Sequence, residues 1–487
     1  MGRSDSKTGS IARRASLSAL LNPHVVLETR VRGEIIARID GHAANLGKFG
    51  AVSADWPDRL RSGVPLASLK SAHGKAGSGL LRLVRRLARL GLMEYRLAGA
   101  AKGEPLIVVE PQVPDYWPRT PQLKDTDALV LSRFAYVRRR SDDLIVESPR
   151  ADAVFRIYDP DVVAALAMLA TPRRVGELRR RCAFGLELFA LLLDCKILFK
   201  ADIAARRVQR PTEGDESLAL WDFHDLLFHA RSTQGRHANP AGGIYPHVDA
   251  LVPPPAVRPR WPGKSVDLHR SSSSATSLSP TGRLLRKRRS TRSFDTERPV
   301  TLAELSVFLG GTARILSKSS AAIGKDGTPI EYTARPYPSA GAAYELELYV
   351  TVGACEGLAR GFYHYDAGEH ALVPIGVDAH YIAVQMHSAQ IAMGAVDPPP
   401  ILVTIAARFG RVSWKYSGIA YALILKDAGA LMQTFYLTAT DMGLGGCAIG
   451  TVDIALFAKM VGIEFHIEGP VGQFALGRPQ QPGVSAR

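Results

Sequence analysis

One basic stretch, a single later arginine, two glycine-bearing loops and one Lys-Tyr pair carry the chemistry that can be read from this sequence. Arg288, Arg289, Ser290, Thr291 and Arg292 are consecutive, followed by Ser293 and Phe294, and so set guanidiniums and hydroxyls within a short span of backbone. A doubly charged phosphate needs such a multidentate cationic cradle; a basic loop ahead of a domain is otherwise a solvated one. Arg478, between Gly477 and Pro479, returns one more cation near the end of the chain that can close on the same phosphate. Pro338, Ser339, Ala340 and Gly341 precede an apolar strand. Small residues there let backbone approach a planar ligand closely, or simply make a turn.

Gly443, Gly445, Gly446 and Gly450 superficially match a dinucleotide fingerprint. The run follows a long helical stretch where the fingerprint requires a strand, and no parallel βαβ unit surrounds it, which excludes a Rossmann site. Its backbone, with Gly445, Ile449 and Gly450, is read instead as leaving room at the edge of a flat ring. Lys415 and Tyr416 follow Trp414 between a strand and the longest helix. Taken alone, such a pair is a surface cation beside an aromatic.

The elements that must position these groups follow from apolar spacing. A helix is expected around Leu302 to Leu309, a strand from Tyr344 to Val352, a hairpin through Gly361 to Val373, a strand from Ile401 to Ala407 and a long helix from Ile419 to Met442. Mixed helices and short strands make this an α+β fold. Upstream, Leu80, Leu83, Val84, Leu87 and Leu90 share one helical face, Arg82, Arg85, Arg86 and Arg89 the other, and Gly91 stops the helix before a strand from Leu92 to Leu97. Leu188, Leu191, Leu192 and Cys195 repeat the pattern, with Ile197 to Phe199 as the strand. Strand-like segments, Val25 to Ile39 and Leu144 to Ile157, precede each helix. The order reads as two winged-helix-like units, 1–115 and 116–210, then a Pro-, Arg- and Ser-rich arm over 211–283 that includes the run Ser271 to Ser274, then a compact domain over 284–487.

Composition bounds the partners. The 487 residues hold 61 Lys and Arg against 46 Asp and Glu, a net charge of +15. That favours an anionic partner, cofactor or substrate. The arginines are spread along the chain, so no nucleic-acid footprint is expected. Cys182, Cys195, Cys355 and Cys447 form no C-x-x-C pair and suggest neither a zinc site nor a disulfide framework. No metal is expected, and a reducing, cytoplasmic setting fits. The stretch from Met1 to Leu21 is too short and too broken by serines for a signal peptide, Met1 to Ser6 matches a myristoylation pattern only by chance, and no apolar run reaches bilayer length.

The second front unit, Asp127 to Phe199, resembles the small peptide-binding winged-helix domain typified by the pyrroloquinoline-quinone biosynthesis chaperone. The resemblance is carried by Leu131 to Phe134, Asp143 to Glu147 and Asp159 to Val163. It implies a leader peptide adding as a strand to an exposed sheet edge; the first unit shares it in outline. The alternatives are units that only pack or dimerise, or an Arg-rich helix reading a DNA groove.

From Trp221 to Pro479 the pieces, in order, resemble the nitroreductase superfamily, and within it the SagB-type dehydrogenases that oxidise azolines in thiazole- and oxazole-modified peptides. The match runs through Trp221 to Asp225, Phe228 to Ser232, Arg288 to Arg292, Pro338 to Gly341, Glu345 to Tyr349, Gly361 to Tyr365, Trp414 to Tyr416, Gly443 to Gly450 and Leu476 to Pro479. It departs at Ala343, Tyr344 and Glu345, where many relatives have Leu-Tyr-Pro.

The resemblance implies a noncovalent FMN at a homodimer interface. Arg288, Arg289, Ser290, Arg292 and Arg478 would surround its phosphate, Gly445, Ile449 and Gly450 would lie by the ring, and Pro338, Ser339 and Gly341 would come from the partner subunit. Lys415 and Tyr416 would be catalytic, a buried lysine serving as the base that takes the proton as hydride leaves. A precursor peptide and a cyclodehydratase that makes its azolines are the implied partners, with no nucleic acid and no membrane. Two other readings stay open: an NAD(P)H-dependent nitro- or quinone reductase, and a DNA-binding regulator that senses flavin.

Overall fold

Apolar periodicity sets the elements of the front half. In the helix Lys75–Arg89, Leu80, Leu83, Val84 and Leu87 are buried, while Arg82, Arg85, Arg86 and Arg89 face outward. The Arg85 guanidinium lies 3.6 Å from the centre of the Trp117 ring. Leu90 does not join the stripe. It is exposed, because the helix ends at Arg89 and Gly91 adopts φ 69° to turn the chain into the strand Met93–Ala98. In the later helix, Glu187–Asp194, Leu188, Leu191 and Leu192 are buried, as is Cys195 at its end.

The computed structural model describes residues 15–30, 33–39, 42–49, 55–71, 75–99, 104–113, 115–201, 213–232, 250–258, 260, 262, 264–265, 279–323, 325 and 327–480. The Met1 to Ser6 pattern, the Ser271 to Ser274 run and other parts of the expected arm lie outside these. The chain divides into two units, Met1–Ala219 and Leu220–Arg487.

In the first unit an antiparallel sheet takes its strands in the order Val64–Pro65, Ser16–Leu21, Met93–Ala98, Pro105–Pro111, Ala153–Ile157, Asp143–Glu147, Tyr136–Arg140. The join falls where Pro105–Pro111 pairs with Ala153–Ile157, so strands assigned from sequence to two units share one sheet and one core. Arg156 anchors that join, 2.6 Å from Glu110 and 2.7 Å from Glu94. A separate small sheet sets Ala128–Leu131 between Arg173–Arg174 and Leu198–Lys200. Glu213, placed from sequence in the arm, closes on this unit by accepting from Ser132 Oγ and the Arg133 N–H.

The second unit is built on a sheet ordered Ala371–Ile375, Gly361–Asp366, Leu346–Val352, Ile401–Arg408, Glu468–Gly477, Gly445–Ile449, antiparallel throughout. A fully antiparallel sheet has no βαβ crossover, in keeping with the exclusion of a Rossmann site. Ile401–Arg408 is buried along nearly its whole length, as a central strand should be, and its one buried polar side chain, Thr404, is bonded by Gln473 at 3.0 Å. Tyr421, Ile424, Ala428, Leu431, Phe435 and Ala439 form the buried stripe of the central helix Ala420–Asp441. Among the described residues no helix is long and apolar enough to cross a membrane.

Candidate active site

Two clusters collect the residues singled out from sequence, and the central helix serves both. The first forms where the chain leaves the helix Pro280–Lys287. Ser290 bridges to Gly446, and the Thr291 N–H donates to the Gly446 carbonyl at 2.8 Å. Tyr436, on the central helix, ties this corner together. Its hydroxyl lies 2.8 Å from Ser290 Oγ and accepts the Ala448 N–H at 2.8 Å, and the Arg288 guanidinium sits 5.0 Å from its ring centre. Among the described residues, none of Arg288, Arg289 and Arg292 forms an ion pair, so the three guanidiniums of this short basic stretch, which also carries Ser290, have no carboxylate to compete with an incoming anion. That donor set fits the phosphate of a flavin mononucleotide.

Arg478 is different. It donates to both Glu304 carboxylate oxygens, at 2.8 and 2.9 Å, and to the Arg298 carbonyl at 3.2 Å. Glu304 belongs to the capping box of the helix Leu302–Ala313, and the Thr301 N–H, with Arg478 assisting, holds its carboxyl below the usual range. Arg478 is thus a brace between the chain end and a helix start.

The glycine run also has a packing explanation. A Cβ at Gly445 would lie 2.6 Å from Thr291 Oγ1, and one at Gly446 would run into Phe474. These positions are small because backbone and side chains crowd them, whereas Gly450 is open. Ile449 is buried.

The second cluster surrounds the turn from Pro338 to Glu345. Lys415 and Tyr416 follow the short helix Phe409–Ser413, and Lys415 Nζ donates to the Gly341 carbonyl at 2.9 Å. Gly341 has φ 56°, and a Cβ there would collide with the Tyr416 hydroxyl and lie 2.6 Å from Lys415 Nζ. With its left-handed φ and no side chain, glycine lets the Lys-Tyr pair of the same chain seat here without either side chain being displaced. Ala342 and Tyr344 also adopt left-handed φ, 55° and 45°, a strain on the order of 1–3 kcal/mol each that surrounding bonds must hold. Cations take the turn's carbonyls: Arg411 bonds Ala343 at 3.0 Å, and Arg335 bonds Leu346 at 3.0 Å and Tyr344 at 3.5 Å. Lys415 itself is exposed, 5.4 Å from the Tyr332 ring centre, so the burial expected of a lysine base is not supplied by this chain alone.

The segment ahead of the expected arm's end is also structural. Trp221 donates to the His466 carbonyl at 2.7 Å and packs 4.6 Å from Phe409, and His229, in the helix Phe223–Ser232, lies 3.1 Å from the Tyr421 hydroxyl. These contacts fix both ends of the stretch that carries Lys415.

Sequence reasoning missed Tyr436, Glu345 and Asp427. The last had a signal, a lone carboxylate on the buried stripe of an apolar helix; Tyr436 had none, since an aromatic in a core helix is ordinary. Asp427 and Tyr436 are separated by roughly two and a half turns at 3.6 residues per turn, so they leave opposite faces of the central helix, one toward each cluster.

The fold and these motifs are those of an oxidoreductase scaffold, and the chain belongs to the nitroreductase family. Residues 285–478 match the nitroreductase family model, and a Methanocaldococcus jannaschii protein named as a nitroreductase is 31% identical over 167 residues, 34% of this chain and 76% of that protein. Residues 129–238 match the model of the cyanobactin oxidase ThcOx. The trifolitoxin-processing protein TfxB of Rhizobium leguminosarum bv. trifolii is 25% identical over 151 residues, 30% of this chain and 40% of its own length. Among solved structures, the E. coli microcin synthetase McbBCD complex with truncated pro-MccB17 bound aligns at TM-score 0.40 and 19% identity, covering 55% of this chain and 97% of that one. The family matches and TfxB bear out the resemblance to SagB-type dehydrogenases of peptide biosynthesis read from the motifs.

Proposed function

We propose that this protein is an FMN-dependent dehydrogenase that oxidises thiazolines or oxazolines to the aromatic azoles within a ribosomally made peptide. The observation that carries the reading is the Lys415–Tyr416 pair seated on the Gly341 turn, within a nitroreductase-family domain. Aromatising an azoline removes a hydride and a proton. FMN, when bound, supplies the hydride acceptor. Arg288, Arg289, Ser290 and Arg292 would hold its phosphate through charge-assisted bonds. Lys415 takes the proton from the ring carbon, Tyr416 orients lysine or heterocycle, and the Gly341 carbonyl fixes the ammonium between turnovers.

Two identical chains make the site. The phosphate cradle and the Lys415 turn use opposite faces of one central helix, so a single flat cofactor meets both most simply when a second copy supplies one of them. Cover from that copy or from the peptide would also bury Lys415, which a lysine base requires. The front unit, matched in part by the cyanobactin oxidase model, would dock a leader peptide at a sheet edge, while a cyclodehydratase supplies the azolines.

The test is anaerobic mixing of flavin-loaded full-length protein with an azoline peptide. Bleaching of the flavin band by the peptide, faster with its leader than without, is the expected result. Rapid bleaching by NAD(P)H with none by the peptide would establish the reductase instead, and equal rates with and without leader would remove the docking role.

A further inference from the structure

The turn that seats Lys415 is built around two carboxylates and one hydroxyl. Ser339 Oγ lies 3.1 Å from Asp427 Oδ2 and 3.3 Å from Glu345 Oε2, and it accepts the Tyr344 backbone N–H at 2.9 Å. A hydroxyl has one proton and two lone pairs. One lone pair takes the Tyr344 N–H, and the single proton can satisfy only one of the two carboxylates. If both were ionised, the other would face the serine oxygen with no proton between them. Asp427 Oδ2 also accepts the Ala340 N–H at 2.9 Å, which marks it as the acceptor at the end of the line. Glu345 is fully buried, and its Oε1 has no partner among the described residues. An unbonded oxygen costs a neutral carboxyl much less than it costs a carboxylate.

We propose that Glu345 and Asp427 share a single proton through Ser339, Glu345 donating to the serine and the serine to Asp427, and that this proton locks the turn on which Lys415 rests. Both carboxyls are positioning groups: Ser339, Ala340 and Tyr344 are held by the relay, and the Gly341 carbonyl between them holds Lys415. The effect on rate rests on the reading of Lys415 given above; the lock does not.

Charged neighbours leave the pair to itself. Arg335, Arg411 and Lys415 are engaged with the carbonyls of the turn, and Arg408, on the adjoining strand, reaches Glu347 at 3.6 Å. Tyr337, Tyr344 and Glu347 share these surroundings, and among the described residues no cation pairs with Glu345 or Asp427. Burial pushes the Glu345 carboxyl up from 4.5 to about 7, and the Asp427 charge adds to the shift. In an opened turn Glu345 meets water and returns toward its ordinary value. The closed turn therefore carries one proton more than the open turn between those two values. Opening becomes about tenfold easier for each pH unit across that window and levels off above it.

Hydrogen exchange of full-length protein, followed by mass spectrometry over residues 339–345 from about pH 5 to about pH 8 and corrected for intrinsic rates, reads the opening directly. In the natural protein the opening constant should climb about tenfold per unit toward pH 7 and then flatten. Glu345→Gln puts an amide N–H donor where the neutral carboxyl stood, so its opening should stay flat at the low-pH value. A natural protein with no such climb overturns the proposal even if the variant does not fold, and so does a variant that climbs like the natural protein. If the climb is present but Lys415→Ala reduces its flavin with the azoline peptide at the natural rate, the shared proton stands and Lys415 is not the base.

Discussion

The two clusters on the central helix solve opposite problems. Among the described residues the cations Arg288, Arg289 and Arg292 have no anionic partner, whereas around Gly341 the cations and the serine are already engaged: Lys415 on a carbonyl, Arg411 and Arg335 on others, Ser339 between two carboxylates. The first region is finished by a ligand and should respond to substitution mainly in affinity. The second is prebuilt, its strained turn held before any substrate arrives, and should respond mainly in rate. Unpaired charge marks a binding surface, and a turn whose carbonyls are held by cations and whose residues are left-handed marks positioning machinery.

The largest effect is expected at Lys415, where the division is sharpest. Lys415→Ala should keep its flavin yet lose roughly two to four decades of azoline-driven reduction, the usual range for general-base catalysis. Lys415→Arg should do nearly as badly, since a guanidinium stays protonated. Stopped-flow absorbance at the flavin band reads both; near-normal reduction by Lys415→Ala would mean that the pair is structural.

Arg288→Ala with Arg292→Ala should do the reverse, releasing flavin while sparing the rate of whatever remains loaded. Each charge-assisted contact contributes about 1.5–3 kcal/mol, so equilibrium titration should show FMN bound at least about a hundredfold more weakly. Unchanged affinity would move the phosphate elsewhere.

Gly341→Ala probes the boundary between the regions. The added methyl meets Tyr416 and Lys415 of the same chain and a left-handed φ, so a fall in rate of about tenfold or more is expected at unchanged flavin content, each 1.4 kcal/mol of misplacement costing about that factor. Flavin loss in this variant would show instead that the turn serves the cofactor of a second chain first.

The smallest effect belongs to Arg478. Its pair with Glu304 is partly exposed, so Arg478→Ala should lower stability by about 0.2–1 kcal/mol, read by denaturant unfolding. FMN affinity should fall less than in Arg288→Ala; an equal or larger loss would return Arg478 to the phosphate.

The residues themselves announced the elements: the Leu80 to Leu87 stripe, the buried run Ile401–Arg408 and the periodic central helix appear where their apolar spacing put them, because burying a face of a helix or strand is a local pattern with a fixed period. The basic run, the Gly341 loop and Lys415-Tyr416 were likewise visible as residue types capable of chemistry. Their pairing was not. Gly341 touches Lys415 across 74 positions of sequence, Arg478 finds Glu304 across 174, and Asp427 reaches Ser339 across 88. Whether an arginine is free or spent, and whether a glycine makes room for a ligand or for a neighbouring side chain, depends on which distant segment folds against it. So does the fate of Glu345, legible only as a departure from its relatives until the fold buried it beside Asp427. Spacing along a chain carries the period of an element, but long-range partnership is set by the register and packing of the sheet and the central helix together.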